Sequence, residues 1–157
     1  MASLSSWAQQ LERELIAKVK VQSEWTKTYG LLTGICDIGP INDAALTTLF
    51  NRVHFTSSDA AVAFCGLVPR PNESGRKVGR QRLSKQGDKA ARTLLHNAAS
   101  SAARTVYFKD YYAMLRTRGL ASRAALVVIA RKLLRIAYGV WRTGQAFDPG
   151  RSSLRKA

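Results

Sequence analysis

Acidic side chains are scarce in this 157-residue sequence: ten Asp and Glu stand against 25 Lys and Arg, a formal charge of +15. That balance excludes a carboxylate-rich metal or cation-binding protein and points towards polyanions. Long apolar runs are missing too. No stretch of about 18 apolar residues occurs, so a membrane-spanning helix is not expected. The N-terminus, MASLSSWAQQLERELIAK, lacks the apolar core and cleavage site of a secretory signal, and a soluble cytoplasmic protein is expected. Cysteine is reduced to Cys36 and Cys65, each in an apolar stretch, which suits reduced core thiols and not a disulfide framework. No pairing of these with His54 or His96 has the short ligand spacing of a zinc site, so no metal site is expected.

What is present describes a folded chain. A hydrophobic fraction of 46%, with Trp7, Trp25 and Trp141, suits a globular core, and the length suits one domain, or one domain with a helical arm. The charge is unevenly spread. Residues 1–65 carry five basic and six acidic groups, net −1, whereas residues 66–157 carry twenty against four, net +16. Each phosphate neutralised by such a surface releases counterions and makes binding steeply salt-dependent. The clustering favours nucleic acid over a merely solvated basic surface or an anionic membrane.

Helical patterns dominate. Leu4, Trp7, Leu11, Leu15 and Val19 recur every three or four residues, which predicts a long helix from Leu4 to about Tyr29. Its apolar stripe is narrow, fitting either a coiled-coil arm or a helix packed at the edge of its own domain. In LLTGICDIGPINDAALTTLF a tight turn at Asp37-Ile38-Gly39-Pro40 separates two short helical patterns, as in a helix-hairpin-helix. In that motif glycines let backbone N–H groups reach a DNA phosphate, so Ile38 and Gly39 are candidate contacts. Here Asp37 replaces the usual first glycine, and a plain helical hairpin fits equally.

Ser57 or Ser58 is placed to cap a helix through DAAVAFCGL, Asp88 to cap the alanine-rich AARTLLHNAASSAARTVYF, and Ser122 to cap RAALVVIARKLLRIAYGVWRTG. A shorter helix is expected from Tyr111 to Arg118, breaking at Gly119. In the last helix Leu126, Ile129, Leu133, Ile136 and Val140 form a core face, and Arg131, Lys132 and Arg135 lie off it. The fold class is therefore all-α: residues 1–29 a helical arm, 30–149 the main helical domain, 150–157 a basic tail. Tyr107, Tyr111 and Tyr112 stand among arginines, but at helical spacing they read as packing aromatics, not nucleophiles.

The segment VPRPNESGRKVGRQRLSKQGD is rich in Pro, Gly and cations and reads as a loop or short hairpin. Long loops inside compact domains are usually functional. Ser74 precedes Gly75, and Arg76, Lys77, Arg80, Arg82 and Lys85 follow within eleven residues. Attack by a serine on a phosphodiester needs cations on the non-bridging oxygens and a base for the hydroxyl proton. The segment supplies the cations. On this pattern alone a phosphate-binding loop with an inert serine is the simpler reading.

The order of a GICDIGPI turn, then FTSSDAAVAFCGLVPRPNESGRKVGRQRLSKQGDKAARTLLHNAA, then ALVVIARKLLRIAYGVWRTGQAFD resembles the C-terminal transposase domain of a family of insertion-sequence recombinases. Those join a RuvC-like DEDD nuclease fold to a serine-bearing helical domain, and include RNA-guided transposases and Piv-type DNA invertases. The resemblance covers about residues 31–148, and residues 1–29 look like the end of the family's coiled-coil linker. It implies that Ser74 is the nucleophile, forming a transient phosphoserine link to DNA. Arg70, Arg76, Lys77, Arg80, Arg82, Lys85 and Arg92 would hold phosphates, with Ser84 a helix-entry or phosphate contact.

The family's DEDD carboxylates bind Mg²⁺ beside the serine, and a structured guide RNA directs the composite centre. The ten acids here form no such set, so no cofactor is expected in this chain, and Mg²⁺ only with a RuvC-like partner domain. The expected partners are DNA, a structured RNA, and either a second copy or a RuvC-like domain met through residues 1–29; nucleoid association would follow. The reading is a DNA-binding, serine-nucleophile domain of a transposase that is not autonomous. Two alternatives stand beside it: a non-catalytic DNA- or RNA-binding module derived from a transposase, and an assembly protein acting through residues 1–29.

Overall fold

The N-terminal apolar stripe folds as two helices where one was expected. In the computed structural model, which describes residues 4–35, 38–74, 77–84 and 86–149, α1 (Leu4–Lys20) stops before an extended Gln22 and α2 (Ser23–Leu32) begins. The side chains at 4, 5, 7, 8 and 70–82 lie outside the description. At the break the Thr26 hydroxyl donates to the carbonyls of Lys20 and Gln22, at 3.0 and 3.1 Å, satisfying acceptors that a terminating helix leaves open. Packing is the cause. The bend lets Ile16 and Val19 of α1 meet Trp25 and Tyr29 of α2 around Ala44 of the next helix. Leu11 and Leu15 of the stripe remain exposed.

Helix α3 (Pro40–Arg52) begins with proline at its first position, where no backbone N–H is required and φ is already helical. Helix α4 (Ser58–Phe64) is capped by Ser57, whose hydroxyl accepts the Ala60 N–H at 3.1 Å. Strands β1 (Pro69–Ser74) and β2 (Lys77–Leu83) form an antiparallel hairpin, the only sheet among the described residues. Helix α5 (Lys89–Ala102) is capped by Asp88, whose carboxylate accepts the Ala91 N–H at 2.9 Å. Helices α6 (Lys109–Thr117) and α7 (Ser122–Thr143) follow, separated by a turn at Gly119. Ser122 does not cap α7: Ala121 is the N-cap and Ser122 the first helical residue. The Arg116 guanidinium donates to the Leu120 carbonyl and fixes the turn one residue earlier.

The architecture is all-α around one central helix. Ile129, Leu133, Leu134 and Ala137 of α7 are fully buried. Small side chains at Ala98, Ala99 and Ala102 let α5 lie close against it. From α3, Phe50 stacks on Trp141 with ring centroids 5.2 Å apart, and Phe55 and Tyr138 meet it edge-on. The Tyr138 hydroxyl donates to the Phe55 carbonyl, so the buried phenol keeps a partner. On the surface Arg135 pairs with Asp59 at 2.7 Å and ties α4 to α7. Tyr111 and Tyr112 are half-buried against the core, and the Lys132 ammonium lies 4.3 Å from the Tyr111 ring centre. These tyrosines are packing residues. None of the helices among the described residues is long and apolar enough to cross a membrane.

Candidate nucleic-acid interface

The cationic segment is a β-hairpin, and its register fixes where each predicted residue stands. Pro69 faces Leu83, Arg70 faces Arg82, Asn72 faces Gly79, Glu73 faces Val78, and Ser74 faces Lys77. Ser74 is thus the last residue of β1, paired with the first residue of β2. A bulge between Arg70 and Asn72 interrupts the ladder, and such irregularities bend and twist a ribbon. Arg76 and Lys85 lie outside the described residues, as do the side chains of Arg70, Ser74, Lys77, Arg80 and Arg82. The described backbone places four cationic positions, 70, 77, 80 and 82, within one short ribbon whose last paired position on β1 is the serine.

The base of this ribbon is tightly held. The Ser84 N–H donates to the Val68 carbonyl, and the Asp88 N–H donates to the Phe64 carbonyl, at 3.0 and 2.9 Å. At Gly87, with φ +143°, an added Cβ would collide with the Phe64 carbonyl oxygen and stand 2.7 Å from the Gly66 nitrogen. At Gly66, with φ +65°, it would stand 2.6 Å from the Arg92 guanidinium and 2.9 Å from the Gln86 carbonyl oxygen. Both positions therefore require glycine. The chain entering the hairpin and the chain leaving it touch backbone to backbone, with nothing larger than hydrogen able to fit.

Arg92, a predicted phosphate contact, belongs to this clamp: its guanidinium donates to the Cys65 carbonyl at 3.3 Å and is half-buried. Ser84 sits at the exit of β2, half-buried. Beneath them the Cys65 thiol is fully buried, and burial, with a smaller push from Asp88 against a pull from Arg92, raises its pKa to about 12. It stays a protonated thiol at neutral pH and packs as a small apolar group.

The predicted hairpin turn between α2 and α3 is divided. Cys36 and Asp37 lie outside the described residues. The Ile38 side chain is buried in the main core, and Gly39, exposed, precedes α3. Asp43, in the first turn of α3, is only 3% exposed, and one carboxylate oxygen has no hydrogen-bond partner among the described residues. Burial raises its pKa to about 7. The same carboxyl raises the Tyr29 pKa, behind the larger effect of that phenol's own burial.

A cleft of about 850 Å³ opens at the hairpin base, between Pro69 and Leu83 on one side and the α6–α7 turn and the face of α7 on the other. Arg116, Arg123 and Arg131 line it, with no carboxylate among its lining residues. Arg131 was expected to lie off the core face. It is half-buried instead, and its Nε is enclosed without a hydrogen-bond partner among the described residues. Burial and then the neighbouring Arg135 lower its pKa, with Asp59 and Tyr111 opposing. None of the three was singled out as a site residue from sequence. Arg123 and Arg131, eight apart on one helix, share a face by periodicity, but only folding brings Arg116 and the hairpin base to them.

Nowhere among the described residues do three His, Cys, Asp or Glu side chains converge as metal ligands. What the described residues bring together is a hairpin with cationic sequence positions and a serine as the last residue of its first strand, and an arginine-lined cleft at its base.

A family profile described as the IS116/IS110/IS902 transposase family matches residues 29–113, from the end of α2 into α6. The pilin gene-inverting protein of Moraxella bovis is 27% identical over 143 residues, covering 88% of this chain and 44% of that protein. A probable family 20 transposase of Pseudomonas aeruginosa is 28% identical over 158 residues, covering 96% of this chain and 45% of that protein. The insertion element IS116 uncharacterized 44.8 kDa protein of Streptomyces clavuligerus is 25% identical over 114 residues, covering 71% and 29%. The chain thus spans less than half the length of these relatives. With more than half of its residues inside the matched region, the chain belongs to the IS116/IS110/IS902 transposase family.

Proposed function

We propose that this chain is the DNA-binding, serine-bearing part of a transposase or site-specific DNA recombinase, with Ser74 as its nucleophile. The observation that carries the reading is the hairpin. Its backbone register puts Ser74 opposite Lys77 at the tip of a cationic ribbon, and the Gly66–Gly87 contact anchors that ribbon to the helical core. A reaction centre on a braced element loses less to misalignment than one on a slack loop.

In the proposed step the Ser74 hydroxyl oxygen attacks phosphorus of a DNA phosphodiester. The O–P bond to serine forms, the bond to one deoxyribose oxygen breaks, and that oxygen leaves as a hydroxyl by taking up a proton equivalent to the one the serine gives up. The serine's proton passes to a base. The phosphoserine ester conserves the bond energy, so a second deoxyribose hydroxyl can reverse the step and rejoin strands without ATP. Lys77, Arg76, Arg80 and Arg82 would neutralise the charge gathering on the non-bridging oxygens, where fixed cations act most strongly. Lys85, Arg70 and Ser84 would hold flanking phosphates. The base, any Mg²⁺ and a guide RNA would belong to a RuvC-like part, met through residues 1–29. The exposed Leu11 and Leu15 of α1 are apolar positions open to such a partner or to a second copy.

Purified protein incubated with an end-labelled duplex carrying the element's terminus, with and without a RuvC-like partner and Mg²⁺, tests the assignment. A protein–DNA adduct that survives denaturing electrophoresis, and vanishes in Ser74→Ala while binding persists, is the expected result. If Ser74→Ala leaves the adduct intact, the serine is not the nucleophile. Binding with no adduct under any condition would favour the alternative, a non-catalytic DNA- or RNA-binding module.

A further inference from the structure

The cleft at the hairpin base divides into two chemistries. Its floor is aliphatic, from Pro69, Leu83 and Val127, and its rim is cationic, from Arg116, Arg123 and Arg131. Three arginines line the cleft with no carboxylate among the lining residues, and the enclosed Arg131 Nε–H without an acceptor among the described residues costs free energy. Such an arrangement is stabilised by an anion. The aliphatic floor calls for an apolar group attached to that anion. The first turn of α7 adds to the field: no side chain caps it and no acid stands there.

A volume of about 850 Å³ exceeds what a bare phosphate fills and falls within the range of pockets that enclose small organic ligands. A nucleotide has both halves in one molecule, a flat apolar base and a phosphate. We infer that this cleft receives a single unpaired nucleotide of the bound nucleic acid, its base on the Pro69, Leu83 and Val127 floor and its phosphate among Arg116, Arg123 and Arg131. The inference rests on the nucleic-acid binding proposed above, but not on Ser74. β1 runs from this cleft to the serine, roughly 16 Å at strand rise per residue. An unpaired nucleotide held here would fix the register of the strand presented at the tip. A paired base cannot enter, because it would first have to leave its stack, at an unfavourable cost that an already unpaired base largely avoids.

The test compares two labelled duplexes of one sequence, one fully paired and one with a single bulged 2-aminopurine, by anisotropy and base fluorescence. Wild-type protein should bind the bulged duplex about tenfold more tightly and change the bulge fluorescence. Arg131→Met should lose that preference while keeping most affinity for the paired duplex. Val127→Phe, which fills the floor without changing charge, should lose it too, with the salt dependence unaltered. Circular dichroism and thermal melting identify any variant that fails to fold, and Arg123→Gln at the exposed rim is the second charge variant. Equal wild-type affinity for both duplexes would overturn the inference, as would a preference retained in folded Val127→Phe. Failure to bind either duplex would instead overturn the nucleic-acid reading beneath it.

Discussion

Two regions of the molecule bury an ionisable group, and they do so with opposite sign. Around α1 to α3 the charge is near balance, and Asp43 is buried close enough to Tyr29 to raise that phenol's pKa. Around the hairpin and α7 the excess is cationic, and Arg131 is half-buried beside two other arginines at the wall of an open cleft. Asp43 can relieve its burial by taking a proton, because its pKa rises to about 7. An arginine has no such escape at any ordinary pH. The first region can therefore be neutralised by a proton, whereas the second keeps its charge, with Asp59 the carboxylate that acts on Arg131.

The largest test of this division is at the hairpin base. Gly87→Ala forces a Cβ into the Phe64 carbonyl, and several kcal/mol of stability should be lost, read as a lowered Tm together with lost nucleic-acid binding. A fold that tolerated alanine there would show that the ribbon is not clamped. Next in size is the shared core. Leu133→Ala in α7 should cost about 2–5 kcal/mol in denaturant unfolding, since the fully buried site cannot collapse around the cavity.

Asp43→Asn sharpens the comparison directly. In the unfolded chain this carboxyl titrates near 4, and in the folded protein near 7, so the folded state holds a proton that the unfolded state releases between those values. Its contribution to stability is fully present below pH 4, falls as pH rises from 4 to 7, and is lost above. The variant should therefore be more stable than wild type at pH 8, by on the order of 1–4 kcal/mol, with the difference shrinking towards pH 4. An identical pH dependence in both proteins would show that Asp43 is not buried as described. The smallest effect belongs to the exposed Arg135–Asp59 pair, where Asp59→Ala should cost about 0.2–1 kcal/mol and less at high salt.

Much of this was legible in the sequence, for reasons that individual residues make clear. Ser57 and Asp88 each precede an apolar run and each accepts a hydrogen bond from the amide three residues on, because capping is decided within one helical turn. The all-α class and the core face of α7 followed from period alone. What sequence could not give depends on contacts distant along the chain. Nothing local stops the helix at Val21; the cluster around Ala44 does. The segment around Ser74 has no alternating apolar pattern, so loop and hairpin stood level, and the backbone of residues 64–66 against 86–88 is what anchors the ribbon. Ser122 reads as a cap until the Arg116 bond to Leu120 shifts the turn. Arg131 read as a cation off the core face and Arg116 and Arg123 were not singled out, since only the tertiary fold sets the three around a common cleft with Pro69 and Leu83.

The most direct measurement is the salt dependence of duplex binding by wild type and by a variant with Arg80 and Arg82 both changed to Gln. If the hairpin grips phosphates, the wild type shows a steep fall of affinity with salt, and the variant a slope shallower by about two, with an unchanged Tm. A variant slope equal to that of wild type would place the phosphate contacts elsewhere and contradict the assignment of the hairpin as the nucleic-acid-gripping element.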